Sequence, residues 1–222
     1  MLADHRKAPI MAACVDVRWK TREGMGCLLP GRLILTAAHV VKYTPSGDKV
    51  YIHHIGTTEG TFGVQPVVIE PMADVAVLSA LDDLKFPEEA KAFNSWCDQT
   101  PPLHLCTQEL PLWTAIPIAM YTHKVTWQEG SAHQLLPYAP QLVLTMPKRI
   151  PHGTSGSPLL AHDGSVLGVV TTDVTAPRPH LTLPVWVMRR IRRAAAAATK
   201  DADNYPPKAI GAHPAPQRSL GT

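Results

Sequence analysis

Three short segments, each centred on a residue type used in nucleophilic catalysis, constrain this chain more than its composition does. Leu-Thr-Ala-Ala-His ends at His39, Asp-Val-Ala-Val-Leu begins at Asp74, and Gly-Thr-Ser-Gly-Ser-Pro surrounds Ser155. Unrelated folds that use these three residue types place them in different orders along the chain, so the order His, Asp, Ser discriminates among folds. Taken singly, each segment is as typical of an ordinary helix, strand or turn as of a functional site. Their ordered co-occurrence makes accident a poor explanation.

The composition is that of a packed β protein. The chain has 222 residues, of which 45% are hydrophobic, so it can form one large β domain or two small barrels. Its 22 prolines favour many short strands joined by turns over a helical bundle. The net charge of +3 reflects 21 basic and 18 acidic residues, a balance that argues against nucleic acid as a partner. No apolar run reaches the roughly 18–20 residues that span a bilayer, so we expect no membrane association.

Apolar alternation and turn signals predict strands in both halves of the chain. In the first half we expect strands near 12–19, 24–29, 33–36, 49–55, 62–70 and 74–79, and a short helical turn at 37–42. The apolar stretch 8–15 is interpreted as the start of the first strand and not as a signal peptide. In the second half we expect strands near 113–121, 123–128 and 141–146, a hairpin at 158–172 and a last strand at 181–183. Helices are predicted near 88–93 and from Pro184 onward.

The three opening residues are suited to acyl transfer. A serine hydroxyl is a poor nucleophile at neutral pH and needs a base within hydrogen-bonding reach. We expect His39 to take the proton of Ser155 and to return it to the leaving amine, while Asp74 fixes the tautomer of the imidazole. The backbone N–H groups of Gly153 and Ser155 are the candidate donors to the oxyanion.

No cofactor and no metal are expected. Two groups invite a metal hypothesis, the adjacent His53 and His54 and the pair His104 and Cys106. Their spacing fits no ligand pattern and no carboxylate accompanies them, so exposed strand and loop residues are the better interpretation.

Together the motifs resemble those of trypsin-like serine peptidases of the compact bacterial kind, over roughly residues 10–195. The matching segments are Thr36–His39, Asp74–Leu78 and Gly153–Pro158, and Gly24–Cys27 is similar to the glycine-containing strand before the histidine in these enzymes. The resemblance implies an all-β fold: two six-stranded antiparallel β-barrels with the active site between them, and a C-terminal α-helix. It also implies a serine endopeptidase that acts on a protein or peptide substrate through an acyl-enzyme on Ser155.

On this basis the chain divides into five parts. We predict an N-terminal barrel at 1–95, a connector at 96–111, a C-terminal barrel at 112–183, a helix at 184–200 and a flexible tail at 201–222.

Two departures from the secreted relatives concern activation and cysteines. Thr154 stands where trypsin-type zymogens carry an aspartate that pairs with a newly cut N-terminus, so that activation step is not expected here. Val40 follows the histidine and no cysteine flanks Ser155, so the usual disulfides are missing. The four cysteines, at 14, 27, 97 and 106, favour free thiols in a cytoplasmic protein, with a Cys97–Cys106 bridge left open.

The resemblance also places the substrate-binding residues, in the segment before the serine and the strand after it. The candidates are Arg149, His152, Val170, Thr171, Thr172 and Asp173. The last three are expected to pair with the substrate backbone as an added strand. Arg149 favours acidic substrate side chains and Asp173 favours basic ones, so neither preference is predicted.

Two other functions stay open at this point. One is a protease that is inactive alone and gated by a regulatory protein partner, with the arginine-rich helix and the tail as its docking surface. The other is a pseudoprotease that holds a peptide without cutting it. The arginine cluster at 189–193 is interpreted as a solvated helix face, the alternative being an acidic partner.

Overall fold

The first half of the chain forms a closed antiparallel barrel. The structure, a computed structural model, describes residues 2–41, 49–54, 61–172 and 174–204. A helix, α1 (Asp4–Ala13), precedes the barrel, and a short helix, α2 (Ala38–Val41), follows its third strand. The strands are β1 (Cys14–Trp19), β2 (Arg22–Leu29), β3 (Leu33–Ala37), β4 (Val50–His54), β5 (Thr61–Glu70) and β6 (Val75–Ala80). They close in the order β1-β2-β3-β6-β5-β4.

The second half forms a six-stranded antiparallel sheet that is nearly closed. Its strands are β7 (Ile116–Tyr121), β8 (Trp127–His133), β9 (Gln141–Thr145), β10 (Pro158–Leu160), β11 (Val166–Val169) and β12 (Thr175–Pro177). They lie in the order β11-β10-β7-β8-β9-β12. The two edge strands approach each other, since a Cβ built at Gly168 would lie 2.9 Å from the carbonyl oxygen of Pro177. The predicted fold of two six-stranded barrels and a C-terminal helix is confirmed.

Three further helices complete the molecule: α3 (Pro87–Gln99), α4 (Pro179–Thr182) and α5 (Val185–Asn204). In α3 the rings of Phe93 and Trp96 pack against Phe62 of β5, with centroids 5.7–6.4 Å apart. In α5 the apolar face is buried through Val187, Met188 and Ile191, as its periodicity predicts. No helix in the described part of the chain is both long and apolar enough to cross a membrane.

One hydrophobic core runs through both halves. The cluster that fills the first barrel continues into the second half through Tyr121, Leu160, Val166 and Val169, and it includes the buried face of α5. A smaller cluster fills the second sheet alone. The two barrels are therefore packed on each other, which fixes the relative positions of loops that meet at their junction.

The structure corrects the predicted ends of the chain. The stretch 8–13, expected to begin a strand, is helical in α1, and the first strand starts at Cys14. This helix lies on the second barrel, where the Arg6 guanidinium donates to the carbonyl oxygen of Asp163 and Ile10 approaches Gly164. The conformation of α1 therefore depends on contacts with a segment far away in the sequence. The local pattern of apolar residues carries no information about such contacts.

The expected last strand at 181–183 is also wrong. Residues 179–182 form α4, with a proline in its first turn, and the last strand is β12. The helix expected at 88–93 spans Pro87–Gln99, so it crosses the predicted boundary at residue 95. The terminal helix extends to Asn204, and the predicted tail from residue 205 onward lies outside the described residues.

All four cysteines are free thiols. Cys14 and Cys27 face each other in the ladder between β1 and β2, and Cys97 is buried at the end of α3. The Cys97–Cys106 bridge that the sequence left open is absent. Burial raises the pKa of the Cys14 thiol to about 12, so this group is protonated and inert in the folded protein.

Candidate active site

A β ladder of the first barrel brings His39 and Asp74 together. His39 lies in α2 directly after β3, and Asp74 lies directly before β6. Strands β3 and β6 pair with Ala37 opposite Val75, so the two residues emerge side by side at the same end of the barrel. The backbone N–H of Ala38 donates to the carbonyl oxygen of Asp74 at 3.1 Å and extends this pairing.

Both oxygens of the Asp74 carboxylate orient His39. Oδ1 accepts the backbone N–H of His39 at 2.8 Å, and Oδ2 lies 2.7 Å from ring atom Nδ1. A carboxylate only accepts hydrogen bonds, so Nδ1 carries a proton, and in the neutral ring Nε2 then holds the lone pair. The guanidinium of Arg22 also donates to the carbonyl oxygen of His39 at 2.8 Å. The imidazole is therefore held in the tautomer that a general base requires.

Asp74 adopts a left-handed backbone conformation, with φ of 55°. This region costs an ordinary L-residue roughly 1–2 kcal/mol, and aspartate is among the residues that tolerate it best. The β3–β6 ladder and the two bonds to His39 hold the residue there. A strained backbone at the start of a strand is the device that turns this carboxylate toward the imidazole.

Ser155 lies in a turn between β9 and β10 that is tied to both barrels. The carbonyl oxygen of Ser155 accepts the N–H of Met25 from β2 at 2.7 Å, and the N–H of Gly156 donates to Val170 at 2.7 Å. Gly156 has φ of +92°, and a Cβ at this position would collide with the carbonyl oxygen of Met25. Only glycine allows the turn to approach the first barrel so closely.

Two backbone donors are available beside Ser155. Within the described residues neither Gly153 nor Ser155 uses its N–H in a hydrogen bond, whereas Thr154 between them donates to Pro151 at 3.3 Å. Gly153 has φ of +84°, a conformation that L-residues rarely adopt. The arrangement leaves two N–H groups without an internal acceptor at the position where an oxyanion would form.

A cleft of about 610 Å³ between the barrels joins these groups. His39, Gly153 and Ser155 line it, together with Thr21, Arg22, Glu23, Val40, Ile150, Pro151, His152, Val170, Thr171 and Thr172. Ser155 and His39 thus face the same space, although no hydrogen bond joins the serine hydroxyl to the imidazole among the described residues. Such bonds are commonly long before substrate binds and shorten in the complex.

Four of the predicted substrate-binding residues line this cleft: His152, Val170, Thr171 and Thr172. Arg149 does not, because it is exposed and the adjacent Ile150, only 5% exposed, takes the position on the cleft wall. Asp173 lies outside the described residues.

Sequence reasoning missed the contribution of the β1–β2 turn and of the first two residues of β2. Thr21, Arg22 and Glu23 form one side of the cleft, opposite the segment before the serine. The available signal was the position of this turn directly before the glycine-containing strand. Across the part of the chain that the structure describes, no three side chains of metal-ligating type gather closely enough to hold an ion.

A family model of the trypsin-like peptidase domain matches residues 24–169, which is well over half of the chain. The chain belongs to this family. It is a trypsin-like serine protease, as the three sequence motifs predict. No sequence among the curated proteins matches it.

Solved structures of other proteases share the fold of this trypsin-like protease. The inactive form of the Rv3671c protein of M. tuberculosis matches with a TM-score of 0.57 at 17% identity, over 88% of this chain and 92% of that one. The serine protease of a human pathogenic astrovirus matches with a TM-score of 0.54 at 20% identity, over 78% and 94%. A serine endoprotease from Yersinia pestis matches with a TM-score of 0.57 at 16% identity, over 85% and 66%.

Proposed function

We propose that this trypsin-like protease is an endopeptidase that cleaves peptide bonds through an acyl-enzyme on Ser155. One observation carries the proposal. An imidazole fixed in the base tautomer by Oδ2 of Asp74 faces the same cleft as a serine flanked by two unused backbone N–H groups. The three elements of acyl transfer, namely a nucleophile, an oriented base and an oxyanion site, thus share one space.

In the proposed reaction the oxygen of Ser155 attacks the scissile carbonyl carbon while Nε2 of His39 takes the hydroxyl proton. The negative charge that develops on the carbonyl oxygen is stabilised by the N–H groups of Gly153 and Ser155. His39 then gives its proton to the amine as the C–N bond breaks, leaving an ester on Ser155. Water then attacks the ester carbonyl while the same imidazole takes its proton, and the imidazole gives that proton to the oxygen of Ser155 as the acyl bond breaks.

The cleft is suited to an extended peptide. The N–H groups of Thr171 and Thr172 make only long bonds of 3.4 Å to the carbonyl oxygen of Thr175, so a substrate carbonyl can replace that acceptor. This arrangement supports the proposed pairing of substrate as an added strand. The buried part of the wall is apolar at Ile150 and Val170, whereas charged residues occupy the side formed by Arg22 and Glu23.

Labelling with a fluorophosphonate probe tests the proposal directly. We expect the isolated full chain to form a stable adduct, and Ser155→Ala to abolish it. Ser165→Ala is the matched control, because Ser165 lies in the β10–β11 hairpin and bonds to Asp163, away from the cleft. Absence of an adduct in the folded wild-type chain, or an adduct that persists in Ser155→Ala, would overturn the proposal.

The partner-gated alternative has its own signature in the same assay. Arg189, Arg192 and Arg193 of α5 are exposed, while Arg190 is engaged with Gly31 and Ser79 of the first barrel. A wild-type chain that forms the adduct only after an acidic protein is added would support gating through this face. A pseudoprotease would form no adduct under either condition.

We propose further that the protein works in a reducing compartment, the cytoplasm. The four free thiols support this location. Protein taken from freshly lysed cells should, after denaturation without reduction, accept a mass tag on every cysteine. A deficit of two tags would show a disulfide and contradict the proposal.

A further inference from the structure

The turn between β7 and β8 lies behind the oxyanion-binding residues. A Cβ built on Gly153 would be 3.0 Å from Cδ2 and 3.1 Å from Cγ of His123, so the imidazole of His123 packs against the α-carbon of Gly153. The backbone N–H of His123 also lies 3.4 Å from the hydroxyl oxygen of Thr154, and donates to it. One residue of this turn therefore contacts two consecutive residues of the loop that carries the nucleophile.

The turn itself is well fixed. Thr122 and Thr126 close it with a backbone bond of 2.9 Å and a side-chain bond of 2.7 Å, and the N–H of Val125 donates to Thr122 at 2.9 Å. At its base the hydroxyl of Ser157 donates to the carbonyl oxygen of Tyr121 at 2.6 Å. The support beneath His123 is thus a closed turn whose strand is joined to the nucleophile loop.

The first barrel contacts His123 through the carboxylate of Asp16. Oδ1 of Asp16, in the middle of β1, lies 3.3 Å from Nδ1 of His123, although 107 residues separate them in the chain. The Asp16 side chain is 16% exposed and that of His123 is 25% exposed. The pair therefore connects β1 to the back of Gly153 at a largely buried position between the barrels.

We propose that Asp16 and His123 are positioning residues that hold the oxyanion-binding N–H of Gly153 in place. Asp16 orients the imidazole, and the imidazole supports the peptide that precedes Thr154. Neither residue touches the reacting atoms. This inference rests on the proposed function, since it concerns the rate of attack by Ser155.

The two candidate roles of the pair, stability and rate, are separated by different measurements. The side chains of Asp16 and His123 are largely buried, so removing either one leaves a polar group without its partner and lowers the free energy of unfolding, which urea unfolding measures separately from the labelling rate. Complete loss of one oxyanion donor costs about 10²–10³ in rate, and a displaced donor retains part of its effect, so about a tenfold loss is expected. A purely structural contact would change stability without this selective loss of rate.

The experiment measures fluorophosphonate labelling of the full chain over a range of probe concentrations, giving a maximal rate and a half-saturating concentration. His123→Ala and Asp16→Ala should each lower the maximal rate about tenfold and leave the half-saturating concentration within about twofold. The double variant should be no slower than the slower single variant, because both changes remove the same support.

Conservative variants and a control separate positioning from general damage. His123→Asn places an amide N–H near the position of Nδ1 and should restore most of the rate, as should Asp16→Asn, which retains an acceptor. His133→Ala, in β8, removes a ring that contacts the hydroxyl of Ser131 and does not line the cleft, and this variant should label like the wild type. Urea unfolding of every variant shows whether each one is folded under the assay conditions.

The outcomes distinguish this inference from the proposed function. If the wild type labels at Ser155 but His123→Ala keeps its maximal rate within twofold, the positioning role is wrong and the protease proposal stands. Additive losses in the double variant, or equal losses in the alanine and asparagine variants, would also overturn it. If the folded wild type does not label, both the proposed function and this inference are wrong.

Discussion

The two barrels hold their contributions to the site in different ways. The first is closed by long strands, with ten residues in β5 and eight in β2, and it presents His39 and Asp74 from the ends of two paired strands. The second contains strands of only three or four residues at β10, β11 and β12, and it presents Ser155 from a turn. Regular pairing fixes the base, whereas individual contacts fix the nucleophile.

The buried polar residues follow the same division. In the second half the guanidinium of Arg178 is almost fully buried and donates to the side chain of Gln134 at 2.7 Å and to the carbonyl oxygen of Gln108 at 2.8 Å. These bonds join the residue after β8, the connector and the segment before α4. Side-chain hydrogen bonds thus supply cohesion where the ladders are short, and we expect substitutions there to lower stability as well as to displace the joined segments.

Asp74→Asn gives the largest expected effect, in the barrel where the ladder is most regular. An amide has one acceptor oxygen for two donors, so the ring loses the bond that selects its tautomer or the backbone N–H of His39 loses its partner. Loss of the tautomer costs about 10⁴ in the rate of related triads. The fluorophosphonate labelling rate should fall by several orders of magnitude while the fold persists.

Asp98→Asn is the control for this change, since Asp98 forms only an exposed ion pair with Arg32 on the same half of the molecule. It should leave the labelling rate unaltered. An Asp74→Asn protein that labels at more than about a tenth of the wild-type rate would show that the geometry of His39 does not depend on the carboxylate.

Gly156→Ala and Gly164→Ala compare a turn at the junction of the two barrels with the turn of the β10–β11 hairpin. A Cβ at Gly156 would meet the carbonyl oxygen of Met25 and lie 2.5 Å from the hydroxyl of Thr36, so we expect a loss of more than about 3 kcal/mol of unfolding free energy. Gly164→Ala has a similar positive φ but its nearest neighbour is 3.5 Å away, so it should cost only about 1–2 kcal/mol. Urea unfolding measures both, and equal costs would exclude the inter-barrel clash as the cause.

Thr36→Val and Ser157→Ala remove matched hydroxyl groups, one from each barrel. Each hydroxyl is fully buried and donates to a main-chain carbonyl oxygen at 2.6 Å, that of Met25 or that of Tyr121. Both variants should lose about 1 kcal/mol of unfolding free energy. Only Ser157→Ala should also lower the labelling rate, roughly tenfold, because a displaced turn misplaces the nucleophile. Equal labelling rates in the two variants would contradict the contrast between the barrels.

The sequence was most informative where the structure of a short segment is determined by the residues of that segment alone. The strand, helical turn and strand around His39 and Asp74 were predicted within one or two residues, because alternation and the motif indicate the same structure there. The turn of Ser155 depends on Gly153 and Gly156, which adopt positive φ angles that other residues rarely tolerate.

The remaining features depend on distant contacts. The apolar stretch 8–13 was expected to begin a strand, yet it is helical where α1 packs on the turn at Asp163. Asp16 and His123 belong to no motif, and their partnership arises only when the barrels meet. Arg149 and Ile150 are adjacent in the chain, and only the folded loop determines which of them lines the cleft. Helical and strand periodicities describe a few neighbouring residues, so they contain no information about contacts between residues far apart in the chain.

The last contrast concerns acid stability, and it distinguishes the polar second half from the first barrel. Burial, together with repulsion from Arg178 and Arg192, lowers the pKa of His180 from 6.5 to about 4. In the unfolded chain the imidazole of His180 therefore becomes protonated below about pH 6.5, whereas in the folded chain it stays neutral until about pH 4. The stabilisation from the neutral imidazole is complete above the unfolded pKa and is lost as the pH falls through this window.

His180→Gln should flatten the decline in unfolding free energy between pH 6.5 and 4, measured by urea unfolding at several pH values. His53→Gln provides the comparison in the first barrel. Burial and Arg18 lower the pKa of His53 also, but the nearby carboxylate of Asp16 opposes them, so this change should flatten the decline less. If His53→Gln flattened the decline in unfolding free energy more than His180→Gln, the acid-sensitive histidine would lie in the closed barrel. The contrast between a regular first half and a polar second half would then not explain the pH dependence of stability.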